Sequence, residues 1–87
     1  LIHRTSSGIA VRSKSELLIA EALTNAGLNF TYETELKLGG SVRYPDFTIE
    51  DDITGRVFYW EHLGMMERED YKRAWTAKEA WYRENGI

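Results

Sequence analysis

The stretch VFYWEHLGMM, residues 57–66, decides the fold. Aromatic and β-branched side chains run from Val57 to Trp60, a composition typical of a β-strand, and the nearly continuous apolar run predicts that both faces of the strand are covered. Glu61 and His62 follow before the run breaks at Gly64. Because a carboxylate is costly to bury alone, Glu61 either has a metal or a hydrogen-bond donor as its partner or faces solvent at the strand end.

Two further strands are predicted upstream. NFTYETELKL, residues 29–38, alternates apolar and polar side chains, which indicates a half-buried strand. Gly39 and Gly40 mark a turn, and VRYPDFTI, residues 42–49, then resumes strand composition. Pro45 has no N–H for a sheet ladder, so it is expected at an edge or a bulge. EDDITG, residues 50–55, supplies the turn into the third strand, RVFYWEH, residues 56–62.

Helices are predicted at both ends of this sheet. Ser13 followed by Glu16 fits a capping box that opens a helix over residues 13–26, and Gly27 closes it. A second helix is predicted over residues 68–84, ended by Asn85 and Gly86. The order indicates a small α/β or α+β fold, a three-stranded antiparallel meander flanked by helices. Residues 1–12 look irregular, and residues 13–87 read as one domain.

Composition narrows the class of protein. A chain of 87 residues makes one domain at most, and with no cysteine it has neither disulfides nor a thiolate zinc site. Two separate histidines also make a zinc hydrolase a poor fit. No apolar run approaches the roughly 18 residues of a membrane span, so no membrane partner is expected.

The lack of cysteine agrees with a reducing compartment, and we expect a cytoplasmic protein. Because the chain begins without methionine, we expect a piece of a longer protein.

Four charged residues occupy positions where charge is unfavourable. Glu16 points with the apolar side of the first helix, although it would do so merely to complete the capping box. Asp46 lies inside a strand, or serves as a turn or edge residue. Glu61 ends the most apolar strand. Lys78 lies in the aromatic stripe of the second helix, where its stem has the alternative of reaching out to water.

One arrangement explains all four. Carboxylates that converge on a pocket bind a hard cation such as Mg²⁺ or Mn²⁺ through oxygen. A metal-bound water becomes a nucleophile near neutral pH, and a nearby lysine stabilises charge on an attacked phosphate. These residue types predict a phosphodiester hydrolase.

The same residues resemble a known group of enzymes. Five segments, in order, are similar to the PD-(D/E)XK nuclease superfamily, in a divergent branch found alone or fused to helicases and other DNA-processing proteins: RSKSELLIAEAL, YE, YPDFTI, FYWEHLGM and YKRAWTAKEAWY. The resemblance covers about residues 11–87. It implies a restriction-endonuclease-like core of helix, three-stranded meander, helix and a final strand. It also implies a Mg²⁺- or Mn²⁺-dependent endonuclease of DNA processing or repair, in which Glu16, Asp46 and Glu61 hold the metal.

The chain departs from the superfamily pattern twice. The position two residues after Glu61 is Leu63 instead of lysine, and some members move that lysine to the following helix, where Lys78 is suitably placed. The sequence also stops at Ile87, where the last strand is expected, so that strand is missing or a partner supplies it. Many nucleases of this superfamily cut DNA as dimers, so a homodimer and a fused helicase are the partners that the resemblance implies.

Nucleic-acid contacts are predicted near the start of the first helix. Arg12 and Lys14 flank Ser13, and basic side chains at a helix N-terminus favour phosphate. His62 is a further candidate as a phosphate contact or proton shuttle, although the period of two places its side chain on the face opposite Glu61.

Two other functions stay open at this point. A catalytically inactive, nuclease-like nucleic-acid-binding module agrees with the missing strand lysine and with the net charge of -3. A calcium loop over residues 50–61 approaches EF-hand spacing, but an EF-hand needs helices where this sequence predicts strands.

Overall fold

The computed structural model describes residues 2–87 and has an α+β fold. Its elements, in chain order, are β1 (His3–Arg4), β2 (Ala10–Val11), α1 (Lys14–Asn25), β3 (Asn29–Tyr32), β4 (Leu36–Leu38), β5 (Ser41–Arg43), β6 (Phe47–Glu50), β7 (Val57–Trp60) and α2 (Glu69–Glu84). The predicted order of helix, antiparallel meander and helix is confirmed.

The meander is the sheet β3–β6–β7, in which β6 is central and both pairings are antiparallel. Tyr32 lies opposite Phe47, which lies opposite Trp60 in turn. Because side chains alternate along strands, these residues share one face of the sheet with Phe30, Ile49 and Phe58. This register brings the residue before β6 and the residue after β7 to the same end of the sheet.

The chain divides into two compact units, and the first comprises the chain up to Thr34 together with Pro45–His62. Its buried core is formed by Val11, Ala20, Leu23 and Phe47. The ring of Phe47 lies 6.0 Å from that of Phe30 and 5.4 Å from that of Tyr32. Helix α1 therefore buries its apolar side where the sheet is most aromatic.

Helix α1 begins as the sequence predicts. Ser13 is the N-cap, and its Oγ accepts a hydrogen bond from the main-chain N of Glu16 at 3.1 Å. Gly27 follows the helix with a φ of 72°, a left-handed conformation that glycine adopts without a steric cost. The predicted helix start and stop are confirmed within a residue or two.

The second unit comprises Glu35–Tyr44 and Leu63–Ile87. Strands β4 and β5 form a hairpin through Gly39 and Gly40, whose φ angles of 56° and 82° fit a tight turn of the type that needs two left-handed residues. Trp81 of α2 is buried, and its Nε1 donates to Ser41 Oγ at 2.7 Å. The guanidinium of Arg43 lies 5.2 Å from the centre of the Trp81 ring, a cation–π contact.

The two long strands predicted upstream are each interrupted. The run 29–38 breaks into β3 and β4 because Glu33 takes a left-handed φ of 50°. The run 42–49 breaks into β5 and β6 at Pro45, which lacks the N–H needed to continue a ladder. Each predicted strand therefore contributes one half to the meander and the other half to the hairpin of the second unit.

The prediction that both faces of β7 are covered is wrong. Val57, Phe58 and Trp60 are 44%, 47% and 44% exposed. β7 is the edge strand of its sheet, and α1 packs against β3, at the opposite edge. An apolar run identified the strand correctly but did not reveal its position in the sheet.

Residues 1–12 were expected to be irregular, but residues 3–11 form a short hairpin; Leu1 lies outside the described residues. His3 pairs with Val11 and Arg4 with Ala10. Val11 is fully buried in the core of the first unit, which explains why this segment is ordered against α1. Among residues 2–87, no helix is long and apolar enough to cross a bilayer.

Candidate functional site

Asp46 and Glu61 meet at one end of the meander. Asp46 directly precedes β6 and Glu61 directly follows β7. The main-chain N of Asp46 donates to Glu61 Oε1 at 2.9 Å, and the main-chain N of His62 donates to Asp46 Oδ2 at 2.7 Å. The Glu61 carboxylate is thus held by the main-chain N–H of Asp46, and the Asp46 carboxylate by the main-chain N–H of the residue after Glu61. Both acids are half-buried. We call this arrangement the Asp46–Glu61 pair.

The pair shows why the apolar strand ends in an acid. A partly buried carboxylate needs donors, and backbone N–H groups give it charge-assisted hydrogen bonds. Those bonds also fix the two residues at the same end of the adjacent strands β6 and β7. His62 binds Asp46 through its main-chain N, so this bond does not test the predicted role of the His62 imidazole, which stays a prediction.

Glu16 is buried, with 8% of its surface exposed. Its Oε1 accepts from Ser13 Oγ at 3.1 Å and from the hydroxyl of Tyr32 at 2.9 Å. One half of the predicted capping box forms, the bond from the Glu16 main-chain N to Ser13 Oγ, and the Glu16 carboxylate binds the Ser13 hydroxyl. The buried carboxylate is also bonded to the sheet, which capping alone does not require.

Tyr32 connects Glu16 to the segment before α1. Its hydroxyl donates to Glu16 and accepts from the main-chain N of Arg12 at 3.1 Å. Burial raises the pKa of Tyr32 to about 12, and the hydrogen bond to the Glu16 carboxylate adds to the effect. The alternation pattern predicts Tyr32 as an apolar strand residue and gives no information about where its phenol hydroxyl points.

Glu33 is the second residue that sequence reasoning missed. Its two carboxylate oxygens accept from Arg12 Nε at 2.9 and 3.0 Å, and the pair raises the pKa of Arg12 above its ordinary value. The main-chain N of Glu33 donates to the carbonyl O of Asp46 at 3.0 Å. The sequence signals Glu33 only through the YE segment of the resemblance, residues 32–33.

Two further predicted residues, Lys14 and Lys78, belong to the two helices. Lys14 is the exposed first residue of α1. Lys78, in α2 of the second unit, is half-buried, and its Nζ donates to the carbonyl O of Tyr44 at 2.8 Å. The predicted catalytic role of Lys78 stays a prediction.

The donor set determines which metal would suit the site. Within residues 2–87, no three His, Cys, Asp or Glu side chains are grouped as metal ligands, so Glu16 does not form a preassembled triad with the Asp46–Glu61 pair. Two neighbouring carboxylates nevertheless fit Mg²⁺, which usually takes one or two carboxylates and keeps several waters. A magnesium site built on Asp46 and Glu61 agrees with these contacts.

The EF-hand alternative is excluded by the structure. Residues 51–56 form the turn of the β6–β7 hairpin, so strands flank them on both sides. The Asp51 side chain accepts from the main-chain N of Ile53, a local bond that lowers the pKa of Asp51 and serves the turn.

Comparison with known proteins gives one relative that assigns no activity. Uncharacterized protein MJ1519 of Methanocaldococcus jannaschii is 38% identical over 87 aligned residues, which cover 95% of this chain and 7% of that protein. The chain thus spans a small fraction of the relative it matches. No protein-family model matches the chain, and no solved structure does.

Proposed function

We propose that this chain is a metal-dependent nuclease domain that hydrolyses phosphodiester bonds of nucleic acid, with DNA as the expected substrate and a restriction-endonuclease-like core. The observation that carries the proposal is the Asp46–Glu61 pair, two carboxylates fixed by backbone N–H groups at one end of the adjacent strands β6 and β7. Carboxylate oxygens are the ligands that hard divalent cations select.

Each of the proposed residues would have a separate role in hydrolysis. Asp46 and Glu61 would hold Mg²⁺ or Mn²⁺, and the bound ion supplies a water acidic enough to attack near neutral pH. Glu16 would orient the site through Tyr32, whose hydroxyl it binds. Lys78 would donate to a phosphate oxygen. In the structure its Nζ donates to the carbonyl O of Tyr44.

A nucleic-acid-binding module without catalysis is the second candidate. The Oε1 atom of Glu16 already accepts from Ser13 and Tyr32, so this acid has a structural function whether or not a metal binds. Such a module would keep the contacts of Arg12 and Lys14 with phosphate and would lack turnover.

Metal titration with matched variants tests the proposal. We expect Mn²⁺ to bind the unsubstituted chain in calorimetry, and Asp46→Asn or Glu61→Gln to weaken that binding by more than about tenfold. Asp70→Asn is the control, because Asp70 is an exposed acid paired with Arg68. Cleavage of a labelled DNA should require the metal and both acids.

The two candidates give different results in these assays. Nucleic-acid binding without metal binding or cleavage would favour the inactive module. Equal Mn²⁺ affinity in Asp46→Asn, Glu61→Gln and the unsubstituted chain would contradict the assignment of the Asp46–Glu61 pair as metal ligands.

A further inference from the structure

Glu33 has an unusual backbone. Within residues 2–87 it is the only residue other than glycine with a positive φ, at 50°. A side chain with a Cβ costs about 1–2 kcal/mol in this conformation, and a glycine would remove that cost. Residues kept in such conformations concentrate at functional sites. The conformation is held at the main chain, where Glu33 N donates to the carbonyl of Asp46.

With this backbone conformation, the side chain of Glu33 forms an ion pair with Arg12. Both carboxylate oxygens of Glu33 accept from one atom, Arg12 Nε, at 2.9 and 3.0 Å. The preceding residue, Tyr32, accepts from the main-chain N of Arg12. Two consecutive residues at the end of β3 therefore fix Arg12 at its backbone and at its guanidinium.

The outer part of the guanidinium is left available. Arg12 Nη1 and Nη2, which carry four N–H donors, make no hydrogen bond within the described part of the chain, and the Arg12 side chain is 71% exposed. An unrestrained arginine loses about 2 kcal/mol of rotamer entropy when it is fixed. Glu33 has already restricted this side chain, and paired N–H groups on a planar guanidinium match the oxygens of a phosphate.

We propose that Glu33 is a positioning residue that fixes Arg12 as the contact for a phosphate of the nucleic-acid backbone. This rests on the proposed function, because it takes nucleic acid as the ligand. Glu33 itself repels phosphate, but charges at an exposed pair are screened by salt and water. If Glu33 acted only through its charge, its removal would strengthen nucleic-acid binding. If Glu33 positions Arg12, its removal weakens binding.

The test is a double-mutant cycle with Glu33→Ala and Arg12→Ala. Binding to a fluorescein-labelled DNA duplex is measured by anisotropy over a salt series in EDTA, so that no cleavage occurs. We expect Glu33→Ala to lower the affinity and to reduce the slope of log K against log salt by about 0.9, the value for one duplex phosphate. Arg12→Ala should do the same, and the double variant should match Arg12→Ala alone.

Glu79→Ala is the matched control, because it removes the acid of another exposed pair, with Arg83. An unchanged or higher affinity in Glu33→Ala would overturn the inference, as would additive effects in the cycle. A lower melting temperature with an unchanged salt slope would assign Glu33 a structural role only and would also overturn it.

Failure of the inference and failure of the proposed function are distinguishable. If the unsubstituted chain binds no DNA, both are overturned. If it binds DNA with the expected slopes but cuts nothing when Mg²⁺ is added, the inference stands and the nuclease proposal fails.

Discussion

Replacing Tyr32 with phenylalanine removes one hydroxyl from the polar contacts of the first unit. The aromatic ring, which lies 5.4 Å from that of Phe47, keeps its packing. The Glu16 carboxylate, at 8% exposure, loses the donor at 2.9 Å and retains Ser13 Oγ. The main-chain N–H of Arg12 loses its acceptor too, but Arg12 is exposed and water replaces the bond at little cost.

The magnitude follows from the charge of the acceptor. A hydrogen bond to a charged group contributes about 1.5–3 kcal/mol, so Tyr32→Phe should lower the free energy of unfolding at pH 7 by that amount. For a chain of this size the melting temperature should fall by about 10 °C.

The loss should also depend on pH. The pKa of Tyr32 is about 12 in the folded chain against an ordinary value of 10.0, so the phenol is protonated in both states below pH 10. Above that pH the unfolded chain ionises first, and the contribution of Tyr32 to stability disappears as pH rises through 12. Two pKa units correspond to at most about 2.7 kcal/mol, and solvent screening of this half-buried ring makes the effect smaller.

Urea unfolding of both proteins between pH 7 and pH 11 measures the difference. The gap between the unsubstituted chain and Tyr32→Phe should narrow above pH 10. Tyr44→Phe is the control, because Tyr44 is 53% exposed and should change stability little at any pH. Equal stability of Tyr32→Phe and the unsubstituted chain at pH 7 would refute the assigned role of the Tyr32 hydroxyl.

Two other substitutions test separate contacts. Lys78→Met keeps the apolar stem and loses the bond to the Tyr44 carbonyl, so it should lower the free energy of unfolding by about 1 kcal/mol and slow cleavage at least about 100-fold. Lys78→Arg should restore little activity, because arginine changes the shape and donor geometry of the cation. Cleavage by the Met variant at the unsubstituted rate would show that Lys78 is not catalytic. Glu33→Gly and Glu33→Ala both remove the pair with Arg12, but glycine tolerates a φ of 50°. In urea unfolding, the Gly variant should therefore be about 1 kcal/mol more stable than the Ala variant. A more stable Ala variant would show that residue 33 is not left-handed.

The parts of the fold that sequence predicts well are those determined locally. Helix α1 starts at Ser13 because the capping residues lie three positions apart, a spacing that is visible in the sequence. The hairpin turn at Gly39 and Gly40 depends on two residues that tolerate positive φ. That the Asp46 and Glu61 carboxylates have hydrogen-bond partners was predictable, because carboxylates at the ends of apolar strands need them.

The parts that sequence missed depend on contacts between distant segments. The break in the strand after Tyr32 occurs because Glu33 binds the carbonyl of Asp46 and the side chain of Arg12, and neither partner is near it in the sequence. The exposure of Phe58 depends on which strand lies at the sheet edge, and an apolar run looks the same at an edge as in the centre.

The end of β3 links the predicted functional residues of the first unit to one another. Tyr32 binds the Glu16 carboxylate and the backbone of Arg12, and Glu33 binds the guanidinium of Arg12 and the backbone of Asp46. Each of these bonds would place a proposed phosphate contact or acid relative to the sheet. Because a displacement of the end of β3 would move Arg12 and Glu16 together, substitutions at Tyr32 and Glu33 should alter binding and catalysis through geometry although neither residue needs to contact the substrate.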